Sequence, residues 1–369
     1  MRKDDYRMTF DRLFEPVFIR ETMTLPNRLV MAPMTTTAGA SDGSFSDQEI
    51  SYLAARARGG IGTIISPACF VHKSGHSFAR QVGADSDAMV PSLARCADAI
   101  NKAGGISILQ IHHGGNAART EFSGQPPLAP SAVMNRRGTS EKPQAMSIAQ
   151  IEEIIEAFAR AAGRAKRAGF SGIEVHGANT YLLQQFFSSF TNKRDDDYGA
   201  QSLINRSRFA AQTIKAIRSE VGSDYPIFYR ISPEEPEPDG YTTADAIAFL
   251  QRIVPLGIDV VHVSSWEYGQ SLYPFSTPGE HPTIAIKKAL HVPVIGVGQI
   301  TTPQRALDVI HDGIDAVALG RVLLFDQEWG NKAESGRAAE IKTEILNIAE
   351  IEDLFIPDQM KRYLRKFYS

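Results

Sequence analysis

His176, Asn179 and Tyr181 stand within the run His-Gly-Ala-Asn-Thr-Tyr. His176 and Asn179 can both donate to one oxygen. Tyr181, with an ordinary pKa near ~10, keeps its proton at neutral pH and can act as an acid. Such a set can polarise a carbonyl and protonate a neighbouring carbon. The same trio also reads as a polar loop with a packing aromatic, and its spacing leaves both readings open. It implies no metal, because it lacks the carboxylate or thiolate ligands that zinc or iron would want.

Two further polar side chains stand in apolar runs. Arg230 lies in PIFYRIS and Gln110 in ISILQIH. An unpaired buried guanidinium is very costly, so Arg230 needs a partner. Glu174 is one structural candidate, and the electron-rich edge of a ligand is another. The Gln110 amide both donates and accepts, so the pair can read a pyrimidine-like edge or serve as core polar groups. Gly298, and Gly320 with Arg321 directly after it, suit an anion: glycine admits close backbone N–H groups, and arginine supplies a fork of donors. Turn glycines and a surface charge are the plainer reading.

Other patterns carry less. Gly59-Gly60-Ile61-Gly62 precedes a strand, whereas a dinucleotide fingerprint follows one. Cys69, His72 and His76 suit an ordinary loop better than a metal site. No lysine ends an interior strand, which disfavours Schiff-base chemistry.

These residues are positioned by short apolar strands alternating with amphipathic helices. Strands are expected at 28–35, 61–68, 106–112, 171–177, 226–232, 258–264, 292–298 and 315–320. Continuous Val/Ile/Leu runs are how strands buried on both faces read, and such strands belong to parallel sheets. Ser46-Asp47-Gln48-Glu49 is a capping-box pattern opening a helix over 47–58, and Ser147-Ile148-Ala149-Gln150 opens another. Thr242 can cap 243–255, and Thr302-Pro303 marks a further start. Helices are also expected at 87–103, 203–220, 280–290 and 336–350. The pattern predicts a single α/β domain over 1–369, a (β/α)8 TIM barrel, with a doubly wound sheet as the alternative. Residues 10–26 read as an N-terminal β-hairpin under the barrel. The segment 113–146 reads as a lid insertion after strand three, and 336–369 as a helical tail.

Composition limits the function classes. The chain has 369 residues, 39 Lys+Arg against 42 Asp+Glu, and a net charge of −3. That balance does not suit coating nucleic acid or an anionic membrane. An apolar fraction of 43% fits a folded globule. Two cysteines supply neither a disulfide framework nor a cluster site. No bilayer-spanning run and no signal peptide are visible, so a cytoplasmic protein is expected.

The chain resembles the Old Yellow Enzyme family of FMN-dependent ene-reductases. The resemblance runs through FEPVFIRETMTLPNRLVMAPMT, LQIHHGG, GIEVHGANTYLLQQF, TNKRDDDYG, NRSRF and VALGR. It implies that Pro33, Met34, Thr35 and Ala68 contact the flavin ring, with Thr35 bonding near its N5/O4 edge. It implies that Gln110 binds the pyrimidine edge and Arg230 stabilises negative charge near N1/O2. Gly298, Gly320 and Arg321 would hold the phosphate. His176 and Asn179 would bind a substrate carbonyl, and Tyr181 would give the proton. Thr35 stands where one branch of the family has cysteine, and Thr36-Thr37 stand where that branch carries a tyrosine.

The expected function is reduction of the C=C bond of an activated small-molecule alkene, with NADH or NADPH as co-substrate. The alternatives are a phosphate-binding barrel lyase or isomerase, and a flavin-binding protein with incidental reductase activity. The C-terminal PDQMKRYLRKFYS suits a subunit interface of a homo-oligomer or a solvated terminal helix.

Overall fold

The computed structural model describes residues 10–134, 141–273 and 279–368. Eight parallel strands form one closed barrel: β1 (Leu29–Met31), β2 (Thr63–Ile65), β3 (Ile106–His112), β4 (Gly172–Gly177), β5 (Ile227–Ile231), β6 (Val260–Ser264), β7 (Val294–Val297) and β8 (Ala316–Leu319). Closure comes from β8 pairing with β1 and from β2 pairing with both β1 and β3. Seven outer helices follow the first seven strands: α1 (Asp47–Arg58), α2 (Val90–Lys102), α3 (Ile148–Arg167), α4 (Leu203–Val221), α5 (Thr243–Ile253), α6 (Pro282–Ala289) and α7 (Pro303–His311). The TIM-barrel expectation holds, and the doubly wound alternative falls because the sheet closes.

The caps explain where helices begin. Ser147 and Gln150 complete a capping box on α3, and Thr242 with Asp245 does the same on α5. Thr302 accepts the Arg305 N–H, with Pro303 in the first turn of α7. Ser46 accepts the Glu49 N–H, but the Glu49 carboxylate bonds Thr36 instead of returning to Ser46. The box expected there is therefore half made.

An antiparallel hairpin, Val17–Arg20 against Met23–Leu25, precedes the barrel. Its Val17, Met23 and Leu25 pack with the interior residues Val30, Ile65, Ile108, Phe228, Val260 and Ile295, and so plug the barrel floor.

Several boundaries differ from expectation. The strands expected over 28–35 and 61–68 shorten to Leu29–Met31 and Thr63–Ile65, because Pro33 and Pro67 cannot donate to a ladder. Residues 87–103 split into a 3-10 turn at Asp87–Met89 and α2, with Pro91 in the first turn of α2. No helix spans 336–350. Gly336 adopts a left-handed φ of 76°, followed by a 3-10 turn at Ala338–Glu340 and a short helix at Ile348–Asp353. Within 113–146 lie a 3-10 turn at Gly115–Ala117, one turn of helix at Thr120–Ser123, and the pair Leu128–Ala129 with Gln144–Ala145. Residues 135–140 of that insertion lie outside the described residues.

Candidate active site

The end of β4 turns sharply. Asn179 and Thr180 both take left-handed φ, 58° and 64°. Such strain in non-glycine residues persists only where the surroundings hold it. Here the Asn179 N–H donates to Ser232 Oγ (2.8 Å), and Ser264 Oγ donates to Asn179 Oδ1 (3.1 Å). The loop is thus pinned to the ends of β5 and β6, and Asn179 keeps its Nδ2 amide as a donor. The Ala178 N–H donates to His176 Nδ1 (3.4 Å), which places the ring proton on Nε2. Two donors therefore leave one strand end. The Tyr181 ring stands edge-on to the His176 ring, with centroids 4.9 Å apart. The structure brings together all three residues singled out first.

Beneath them the barrel interior is polar. Gln110 Nε2 donates to Glu174 Oε1 (2.7 Å), and His262 Nδ1–H donates to Glu174 Oε2 (2.7 Å). Arg230 pairs in register with both His176 and His262. Burial alone would raise the Glu174 carboxyl. The His262 N–H, the Arg230 charge and the Gln110 amide more than offset it and hold the carboxyl below the usual range. Burial pulls Arg230 down, opposed by the Glu174 charge. Glu174 thus acts on Arg230 through its charge, the structural candidate that the sequence offered, and bonds Gln110 directly.

The charge of Glu174 does not use up the Arg230 donors. Arg230 is 7% exposed, its Nε is buried with no partner, and its Nη1 reaches only Pro33 O at 3.5 Å. Orphaned buried donors are expensive, and an electron-rich ligand edge would satisfy this one.

The remaining candidates ring the mouth. Pro33 and Met34 are partly buried and Thr35 is exposed, just past β1. Thr35 and Ala68 line one cavity. A Cβ added to Gly320 would meet only Met34 Sδ, at 3.7 Å, so Gly320 opens toward Met34. Gly298, at φ 139°, has no room for a Cβ, which would lie 2.5 Å from Tyr268 N. Arg321 is exposed just after β8, and none of the described acids pairs with it. These groups fit a flat, electron-rich ring ending in a phosphate: an open glycine, an unpaired arginine at the rim and unsatisfied donors inside.

Sequence reasoning missed three residues. His262 shares Glu174 with Gln110. His112, two positions after Gln110, is fully buried with both ring nitrogens unpartnered, and burial pulls its pKa down to about 3. Its ring stands edge-on to Tyr181 at 4.3 Å. Glu49 turns inward from α1. Polar residues two apart in an apolar strand were the available signal for His112; nothing local marked the other two. Cys69, His72 and His76 each have separate partners: Ser66 and Pro67, Ser74, and Phe70 with Phe78. No helix among the described residues is long and apolar enough to cross a membrane.

Known proteins share this chain's sequence and fold. The NADH:fumarate oxidoreductase of Klebsiella pneumoniae is 36% identical over 366 residues, covering 96% of this chain and 39% of that protein. The chain therefore spans well under half the length of that relative. The probable NADH-dependent flavin oxidoreductase YqiG of Bacillus subtilis is 34% identical, covering 94% of each. A morphinone reductase structure superposes with a TM-score of 0.81 at 26% identity, covering 96% of this chain and 97% of that one. The profile of the NADH:flavin oxidoreductase / NADH oxidase family matches residues 12–340. The resemblance read from the sequence is thereby borne out at the level of the family. With the barrel, the paired donors at β4 and the unsatisfied Arg230 already in place, this chain belongs to the NADH:flavin oxidoreductase / NADH oxidase family, the Old Yellow Enzyme family of the sequence analysis.

Proposed function

We propose that the chain binds FMN and reduces the C=C bond of an α,β-unsaturated carbonyl compound at the expense of NADH or NADPH. The observation that carries this reading is the placing of His176 and Asn179 at one strand end beside Tyr181, on the strand next to a buried guanidinium with an unused donor.

The residues divide the work. Gln110 and Arg230 would hold the pyrimidine edge, with Pro33, Met34, Thr35 and Ala68 against the ring and Gly298, Gly320 and Arg321 on the phosphate. The flavin, when bound, supplies the hydride. His176 and Asn179 direct two donors at the substrate carbonyl oxygen, which draws electron density from the β-carbon. Tyr181 Oη holds the proton that the α-carbon takes. His112 stays neutral through burial, so it puts no positive charge beside the Tyr181 ring. Ser232 and Ser264 fix Asn179, which makes the donor pair rigid before substrate arrives.

Tyr181→Phe tests the assignment. Flavin reduction by NAD(P)H needs no acid and should be nearly unchanged. Reoxidation by a simple enone should slow roughly 10²–10⁴-fold, the contribution of a positioned general acid. Stopped-flow measurement of each half-reaction decides. Equal slowing of both would indicate a distorted flavin site and would remove Tyr181 from the mechanism.

A further inference from the structure

Glu49 occupies the third position of α1, where a capping box would turn its carboxylate back to Ser46. It turns inward instead and is fully buried. The Thr36 hydroxyl accepts the Ala38 N–H (3.3 Å) and donates to Glu49 Oε1. Glu49 Oε2 is buried and has no partner. The carboxyl lines the same cavity as Thr35 and Ala68, two of the four residues proposed to lie against the flavin ring.

Its electrostatic surroundings leave its charge unbalanced. Arg56, on the same helix, gives its donors to the carbonyls of Tyr52, Leu323 and Phe355. Tyr52 lies one turn along α1, and the thiols of Cys69 and Cys96 face the carboxyl from beyond β2 and from α2. Arg80 lines the cavity and reaches the Gly39 carbonyl. Burial pushes the Glu49 pKa up to about 7, with the Thr36 hydroxyl pulling the other way.

We propose that Glu49 is a redox-linked proton store: it takes a proton from solvent when the flavin site gains negative charge and returns it on reoxidation. This rests on the functional reading above. Hydride transfer from NADH moves two electrons and a proton to the flavin, and the positive charge leaves with the oxidised nicotinamide. The site is left one unit more negative with no proton drawn from solvent. Glu49 carboxylate then binds one solvent proton and becomes the neutral acid. When the enone removes the hydride and Tyr181 gives its proton to the α-carbon, the negative charge passes to the Tyr181 oxygen; Glu49 then releases its proton and Tyr181 regains one, so that one solvent proton is consumed per turnover. Glu49 touches neither substrate nor hydride. It acts through Thr36 and the cavity wall and is a positioning residue.

The test is proton uptake by FMN-loaded protein, reduced anaerobically by NADH at pH 8 in weak buffer with an indicator dye. A carboxyl titrating near neutrality that gains a like-charged neighbour should take up about half a proton per flavin. Glu49→Gln should take up almost none, and Glu49→Asp should restore part of it. Equal uptake in wild type and Glu49→Gln, or none in wild type, overturns the proposal. Should Glu49→Gln not fold, Thr36→Val serves: loss of the donor should move the uptake window to higher pH, and an unmoved window overturns the proposal. Protein that binds no FMN overturns the functional reading and this inference with it. Protein that is reduced without the uptake overturns this inference alone.

Discussion

The barrel interior changes character between one layer of side chains and the next. In the lower layer β3, β5 and β6 present Ile108, Phe228 and Val260, packed on Ile65, Ile295 and the hairpin. Two residues further along the same strands come Gln110, Arg230 and His262, with Glu174 between them on β4. The lower layer is what hydrophobic burial favours. The upper layer gathers a carboxylate, a guanidinium, an imidazole and an amide where burial penalises charge, and replacing such groups with apolar residues is often neutral or stabilising. A barrel needs the first layer to close. Under the proposed function the second layer is explained by the flavin it would bind. The interior therefore separates stability from function along single strands.

The largest effect that tests this division lies at the floor. Phe228→Ala removes a fully buried ring and should lower stability by about 3–5 kcal/mol. The folded fraction should still bind FMN with wild-type affinity. A calorimetric melt with an FMN titration reads both, and a matched loss of affinity would show that the layers are not separable.

Arg321→Ala acts at the rim and should leave the melt unchanged. Loss of a charge-assisted pair to a phosphate, worth roughly 1.5–3 kcal/mol, should weaken FMN about ten- to a hundred-fold. Riboflavin, which has no phosphate, should bind wild type and variant alike. Unchanged FMN affinity would return Arg321 to the surface charges.

His112 offers a smaller effect with a definite sign. It stays neutral in the fold down to about pH 3, whereas an unfolded histidine binds a proton near ~6.5. The unfolded chain thus holds more protons between those values, and stability falls as pH falls through that window. At pH 5 the loss is about 2 kcal/mol. His112→Leu should regain that much at pH 5 relative to its effect at pH 7.5, measured by urea unfolding. Equal effects at both pH values would mean that His112 is not held neutral.

The fold was legible because its signal repeats: short Val/Ile/Leu runs, capped helices and strand-to-strand spacing all agree. Strand ends were overrun wherever a proline cut the ladder, as at Pro33 and Pro67. Segment 336–350 misled because its alternating charges resemble a solvated helix, while Gly336 breaks the turn. The site was legible where chemistry is dense in sequence, as in HGANTY, or exceptional in setting, as at Arg230. Glu174 was named only as a partner of Arg230; its bonds to Gln110 and His262 depend on strand register. Glu49 was hidden for another reason. Its place in a capping pattern gave it a local explanation, and only the fold shows that the side chain serves elsewhere.

The central claim is that the polar layer holds a flavin beneath two donors aimed at one oxygen. A phenol titration of FMN-loaded protein tests it most directly. A phenolate held by His176 and Asn179 would stack on the flavin and give a long-wavelength charge-transfer band. That band is expected in wild type, and its loss with a raised phenol dissociation constant is expected when His176 and Asn179 are both changed to Ala. A double variant that binds FMN and keeps the band at wild-type phenol concentrations would place the oxyanion site elsewhere and contradict the account.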